Sequence, residues 1–382
     1  MNKFKFSFPF ILVLLFIQIN IARSQSILPK PDHIVIVILE NHSYSQIIGS
    51  PAAPYINSLA TDTLSALFTA SYGIGHPSQP NYLALYSGST QGVINDGIPF
   101  GNPFTTPNLG SQLISSGLTF VTYSEDLPSE GFNGGNSGNY ARRHNPAANW
   151  MGTGINQVSS TTNQPFTAFP TDFTLLPTVC FVVPNVKNDM HDGTDPLRIT
   201  TGDNWISTQL DRYVQWSKAN NSLFILTFDE GTATNQIATI LTGQMVQPGI
   251  YSTKINHHSI LHTIEKLYGL PVIGDSISTG HITSCWNKDV VSSLNFSKSN
   301  LICSVYPNPA SGSVHVNVIN FHDATARIFN LNGELMLAQP LMSENTVIDI
   351  QDIKSGLYLI KISTKEGVMV RKFVKEERTP GP

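Results

Sequence analysis

The sequence predicts an α/β fold with a doubly wound, mostly parallel sheet, followed by a small all-β sandwich. Three observations carry that expectation. Short, continuous apolar runs recur between residues 29 and 286, namely 33–39, 119–123, 178–183 and 223–228. Segments with helical spacing, 82–86, 109–115, 205–218 and 259–268, alternate with them, as βαβ units require. After residue 295 the apolar period changes to two, which is the pattern of half-buried antiparallel strands.

Each element has a local reason. The run His-Ile-Val-Ile-Val-Ile-Leu at 33–39 is continuously β-branched from Ile34 to Ile38 and suits a strand buried on both faces. Residues 99–170 change texture to Gly, Asn, Ser, Thr and Pro. Inside a compact domain such a stretch predicts functional loops rather than a linker. In the C-terminal part, 313–318, 325–330, 346–350, 356–362 and 368–374 read as strands, with Asn332-Gly333 and Glu366-Gly367 at expected hairpin turns.

The chain has 382 residues, and the three expected regions are 1–24, 25–295 and 299–377. In the first, Lys3 and Lys5 precede an apolar run that ends in Ala22-Arg23-Ser24, which predicts a secretory signal peptide. The rival is an uncleaved anchor, opposed by Pro9, Gln18 and Asn20 within a short run. No later segment predicts a stable membrane span. Loss of residues 1–24 moves the net charge from −4 to −7, because Lys3, Lys5 and Arg23 leave and no acid does. From residue 299 onward eight bases balance eight acids, so the negative excess belongs to the larger domain. Nothing forms a basic footprint for nucleic acid. Three cysteines in an exported chain can form one disulfide. We expect Cys180–Cys285, although the sequence alone allows three pairings.

Only 13% of the residues are charged, and several of the acids fall where open α/β sheets place their ligands, after predicted strands. Glu40-Asn41-His42-Ser43 follows the first strand, and Asp229-Glu230 follows the strand at 223–228. Adjacent buried carboxylates need a cation or a shared proton to coexist. Asp189-Met190-His191-Asp192 and Asn256-His257-His258 add further oxygen and imidazole donors. Without thiolates, these suit Mg, Ca, Mn or Zn. Taken singly, Glu40 reads equally well as a helix cap. Ser78-Gln79-Pro80-Asn81 places a serine at a predicted helix start, as an N-cap or as a group facing bound phosphate. His76 precedes it by two residues. Arg142-Arg143-His144 concentrates cations in a cation-poor chain, as a phosphate contact or as a solvated loop. Neither a Gly-x-Ser-x-Gly elbow nor a Walker loop occurs.

Together these motifs resemble the phosphoesterase family of bacterial phospholipases C and secreted acid phosphatases, within the alkaline phosphatase superfamily, over residues 32–272. The resemblance implies a phosphoric ester hydrolase acting on a phosphate ester, with one or two divalent metal ions. It implies Ser78 as nucleophile, Asn81 as a phosphoryl-oxygen contact and His76 as a proton donor or phosphate contact. Glu40, Asn41, Asp229 and Glu230 match metal-binding positions. Asp189, His191 and His257 match the positions of a second metal, with Asp192 and His258 as possible replacements. Arg142, Arg143 and His144 resemble the basic phosphate-binding loop of the acid phosphatases. The expected reaction is monoester hydrolysis through a phosphoserine; the rivals are a phospholipase C-type diesterase and a non-catalytic surface protein.

Residues 299–377 resemble a type IX secretion sorting domain, through Val305-Tyr306-Pro307-Asn308-Pro309 and Ser355-Gly356-Leu357-Tyr358. That implies contact with the type IX secretion machinery and export through the periplasm to the cell surface or medium. A carbohydrate-binding module is the alternative there.

Overall fold

The computed structural model describes residues 28–287, 302–319, 324–330, 335–364 and 367–377. The expected signal peptide, Asn332-Gly333 and Glu366 lie outside them. Among the described residues, no helix is long and apolar enough to cross a membrane.

The larger domain is built on strands β1 (His33–Leu39), β2 (Ser65–Tyr72), β3 (Phe120–Ser124), β4 (Asn163–Pro165), β5 (Val179–Val183), β6 (Ser222–Phe228), β7 (Gln236–Thr242), β8 (Gly249–Tyr251) and β9 (Ile255–Asn256). Its helices are α1 (Tyr44–Ile47), α2 (Pro54–Ala60), α3 (Ser78–Ser87), α4 (Leu109–Ser115), α5 (Leu197–Ala219) and α6 (His257–Tyr268). The sheet order is β4-β3-β5-β1-β6-β7-β2-β8, with β9 also on β2. Only β7 runs against its neighbours; every other pairing in this sheet is parallel. The expected mostly parallel sheet is therefore present, and β2 and β7 are strands that the apolar runs did not announce.

Strand alternation builds two cores. Ile34, Ile36 and Ile38 point to the side covered by α3, α4 and α6, with Leu83, Leu109, Ile260 and Ile264. Val35, Val37 and Leu39 point to the other side and meet Ile56, Ile206, Leu210 and Tyr213 of α2 and α5. This parity overturns the expected disulfide. Cys180 belongs to the α5 side and Cys285 to the α6 side, so the sheet stands between them. All three cysteines are free and buried.

Two helix starts matter for the site. In α3 the cap position is Pro77 and Ser78 is the first helical residue, so Ser78 does not cap the helix as one reading expected. Pro80 is tolerated because first-turn amides have no intrahelical acceptor. In α6, Asn256 and Ser259 form a reciprocal capping box that fixes His257 at the first turn.

Glu265 of α6 is buried and accepts hydrogen bonds from Ile273 N at 3.1 Å and Ser276 Oγ at 3.2 Å. Burial pushes its carboxyl up to about 7. The folded state therefore keeps a proton that the unfolded chain releases near pH 4.5. Its stabilising contribution is complete below about pH 4.5 and is lost as pH rises through about 7. In Glu265→Gln, the fall in Tm between pH 5 and 8 is expected to be shallower than in the parent. An unchanged slope by scanning calorimetry would remove Glu265 as a source of it.

The C-terminal region comprises β10 (Ile302–Tyr306), β11 (Ser313–Ile319), β12 (Ala324–Phe329), β13 (Leu335–Leu341), β14 (Asn345–Asp349), β15 (Gly356–Thr364) and β16 (Gly367–Lys375). They form a three-stranded and a four-stranded antiparallel sheet. Val314, Val316, Ile328, Ile348, Ile360 and Phe373 fill the shared core, as a sandwich requires.

Candidate active site

The site lies at the C-terminal ends of the parallel strands. In the β1–β6 ladder Leu39 stands opposite Phe228. The next residues, Glu40 and Asp229, therefore leave the sheet side by side, about 5 Å apart by strand spacing. The Asp229 amide donates to Leu39 O at 2.9 Å, and the Glu40 amide donates to Asp189 O at 2.8 Å. The ladder and the segment after β5 thus gather three carboxyl residues remote in sequence. Asn41 completes the turn with φ at 54°, a left-handed conformation that Asn tolerates better than most residues. Its amide donates to Asp229 Oδ1 at 2.8 Å and its Nδ2 to Glu40 Oε2 at 2.6 Å.

Ser78 faces this cluster. Its hydroxyl donates to Glu40 Oε2 at 2.9 Å, and the side chain is buried. Tyr82, one turn further along α3, donates its hydroxyl to Glu40 Oε1 at 2.6 Å. The sequence reading did not single out Tyr82. Its signal was the four-residue spacing from Ser78, which puts both on one helix face.

Electrostatically the cluster is strained. Ionised carboxylates gathered at neighbouring strand ends and buried away from water repel one another. Burial, with the charges of Asp229 and Asp189, holds the Glu40 carboxyl well above its usual range, although Tyr82 and Ser78 partly offset this. Burial pushes Asp189 up to about 8 and Asp229 up to about 7. Burial and the charges of Asp229 and Asp96 raise Glu230 to about 8. Asp229 Oδ2 is buried without a hydrogen-bond partner among the described residues.

His144 is buried between two of these acids. Its Nε2 is 3.2 Å from Glu40 Oε1 and its Nδ1 is 2.8 Å from Asp189 Oδ2, while its ring stacks on Tyr82 with centroids 5.3 Å apart. Neither nitrogen is aligned for a hydrogen bond. Burial, then Arg143 and His191, drives its pKa well below the usual imidazole range. We therefore read these contacts as a neutral ring between carboxyl groups, not as ion pairs. His257 donates Nε2–H to Phe228 O at 2.9 Å, and its Nδ1 is buried and unpartnered. That tautomer leaves a lone pair free for a cation.

The other expected residues are more peripheral. His76, about half exposed, sits at the mouth with Nδ1 3.0 Å from Glu230 Oε2. Asn81 ties down the loop before α3: its Oδ1 accepts from the Ile74 amide at 2.7 Å and the Gly75 amide at 3.1 Å. Its Nδ2 donates to Gly75 O and Pro77 O, with Glu230 Oε2 at 3.3 Å. His191 is partly exposed; it donates to Asp192 Oδ1 at 2.7 Å and accepts from Arg143 Nη2 at 3.2 Å. Arg142 is buried and spends its Nη atoms on Asn149 Oδ1, Asn133 Oδ1 and Ala148 O. Arg143 is the more available cation, beside a cavity lined by Gln79, Asp96, Ile98 and Arg142. Asp96, also unforeseen, accepts from the Gln79 amide at 2.9 Å.

Among the described residues no three His, Cys, Asp or Glu side chains close as a preformed coordination shell. The donor chemistry nonetheless fits a divalent cation. Neighbouring buried carboxyls, an unpartnered Asp229 oxygen and a free His257 nitrogen are groups that a cation would satisfy.

A serine at a helix start, aimed at a cluster of buried acids at the strand ends of an α/β sheet, suits a hydrolase of phosphoric esters, and the family match gives that class. Residues 50–271 match the Phosphoesterase family, and the chain belongs to that family. Residues 304–376 match a secretion system C-terminal sorting domain, a region that directs a chain to export. A phosphatidylinositol-3-phosphatase of Mycobacterium tuberculosis is 43% identical over 270 residues, covering 70% of this chain and 86% of that protein. An acid phosphatase of Aspergillus fumigatus is 31% identical over 226 residues, covering 54% of this chain and 49% of that protein. A solved Vibrio parahaemolyticus protein of the alkaline phosphatase superfamily superposes with a TM-score of 0.47 at 13% identity, covering 83% of each chain.

Proposed function

We propose that the chain is an exported phosphomonoesterase that requires a divalent cation and works through a phosphoserine at Ser78. The observation that carries this reading is the Ser78 hydroxyl, hydrogen-bonded to Glu40 Oε2 within the buried acid cluster. The relatives named as phosphatases support monoester over diester hydrolysis. Glu40, Asn41, Asp229 and Glu230 would hold the cation, with Asp189, His257 and His144, which the sequence assigned to phosphate instead, as the second group of donors. A bound cation would lower the Ser78 pKa and offset charge on the phosphoryl oxygens.

In the proposed reaction, Ser78 Oγ forms a bond to phosphorus in line with the departing ester oxygen, and its proton leaves along the hydrogen bond to Glu40. Arg143, which shares a cavity with Gln79, would hold phosphoryl oxygens. His76 at the mouth protonates the departing alkoxide, and Glu230 orients its ring. Water then cleaves the phosphoserine, which releases phosphate and returns the Ser78 hydroxyl. Asn81 acts by fixing the loop that carries His76. Export would use the type IX machinery that recognises the C-terminal sorting domain.

The deciding experiment measures phosphate release from p-nitrophenyl phosphate and phosphocholine release from phosphatidylcholine, each with and without chelator. The expected result is phosphate release that chelator abolishes and divalent cation restores. Chelator-resistant turnover would sink the cation requirement, and dominant phosphocholine release would favour the diesterase.

A further inference from the structure

We propose that residues 94–100 form an apolar lip that seats the enzyme on a lipid surface, so that phosphate esters carried there enter the cleft; this rests on the reading of Ser78 as the reactive group. Ile94, Ile98 and Phe100 are 81%, 59% and 104% exposed, three large apolar side chains within seven residues. Such clustering differs from the scattered apolar residues of an ordinary surface. The lip adjoins the site, because Ile98 shares a cavity with Gln79, Arg142 and Arg143. Gln79 directly follows Ser78.

The segment is held in shape rather than loosely draped. Gln79 Nε2 donates to Asn95 O at 2.9 Å and Gly97 O at 2.7 Å, and the Gln79 amide donates to Asp96 Oδ1. The Gly97 amide donates to Asn95 Oδ1, and Asn102 is tied through Nδ2 to Asn149 Oδ1 at 2.8 Å. Several of the loop's polar groups are thus satisfied internally, which lowers the cost of leaving water.

Charge selects the partner. Within residues 94–100 the one charge is Asp96, already bound to the Gln79 amide, and the more available cation beside Ile98 in the shared cavity is Arg143. Exposed Ile and Phe side chains next to an arginine suit shallow insertion among lipid headgroups, with apolar burial as the driving force and headgroup phosphate as the partner of Arg143.

The test is co-sedimentation of the full chain with phosphatidylcholine vesicles, together with turnover of soluble p-nitrophenyl phosphate. The parent is expected to partition to the vesicles. The double variant Ile94→Ser, Phe100→Ser is expected to lose at least about tenfold in partitioning, with kcat/KM on the soluble ester within about twofold and an unchanged Tm. Phe100→Trp is expected to keep binding and to add blue-shifted emission on vesicle addition. A parent that stays in the supernatant, or a double variant that partitions like it, overturns the lip. If both proteins fail to turn over the soluble ester while the vesicle difference persists, the phosphomonoesterase reading fails and the lip stands.

Discussion

Ser78→Ala is expected to reduce kcat/KM on p-nitrophenyl phosphate by on the order of 10⁴-fold or more, with far-UV circular dichroism and Tm close to the parent. The size follows from chemistry. The serine oxygen is the atom that bonds to phosphorus in the proposed reaction, so nothing else in the cluster can substitute for it. The small structural cost follows from packing. Ser78 is the first residue of α3, the cap position is Pro77, and the lost hydroxyl leaves its hydrogen bond to Glu40 unmade and no longer helps hold the Asp229 carboxyl down. Removing that donor costs about 1 kcal/mol, and Tyr82 still donates to the other Glu40 oxygen. Activity that survives in this variant with chelator-sensitive kinetics would move the nucleophile to water or to another side chain.

Glu40→Gln is expected to act in opposite directions on activity and on stability. Turnover should fall at least about 10²-fold, as when one charged partner is removed from a preorganised electrostatic site. In chelated protein the variant should melt at or above the parent Tm near pH 8, because it removes a buried carboxyl that Asp229 and Asp189 crowd. With saturating divalent cation the order should reverse, since only the parent gains the full binding energy. Melting both proteins with and without cation checks all four values. A variant that melts lower than the parent in chelator would show that the cluster is held by Glu40 hydrogen bonds rather than opposed by repulsion.

The parts of this fold that were legible in the sequence are those with a single dominant signal. β1, β5 and β6 are continuous β-branched or aliphatic runs, and their buried faces leave no other reading. β2, with the sequence SALFTASY, mixes small and polar residues and was not recognised, because its place between β7 and β8 is set by partners rather than by its own pattern. α3 begins one residue earlier than a cap at Ser78 implies; its start was legible from the serine and Pro80 rather than from apolar spacing, since Ser-Gln-Pro-Asn carries no periodicity. The acids of the site were legible as strand-end clusters. Their relation to His144 was not, because the loop that carries it reaches Glu40 and Asp189 only through tertiary packing. Arg142 and Arg143 were indistinguishable as adjacent residues. The structure separates them, one bound to loop acceptors and the other beside the cavity. The cysteines show the reverse case, where strand parity already assigns Cys180 a face but Cys285 has no strand to announce its own.

The pairing of Leu39 with Phe228 has a consequence for how this site can vary. Because Glu40 and Asp229 leave adjacent rungs of one ladder, the sheet's own hydrogen-bond spacing acts as a ruler for them. No repacking of side chains can lengthen that ruler without breaking backbone bonds. Asp189 and His144 are carried on connecting segments outside this ladder, so its spacing does not set their side-chain positions. If a cation binds as proposed, tolerance for ions of different radius would be set by these segments, while the sheet supplies a fixed gauge against which they adjust.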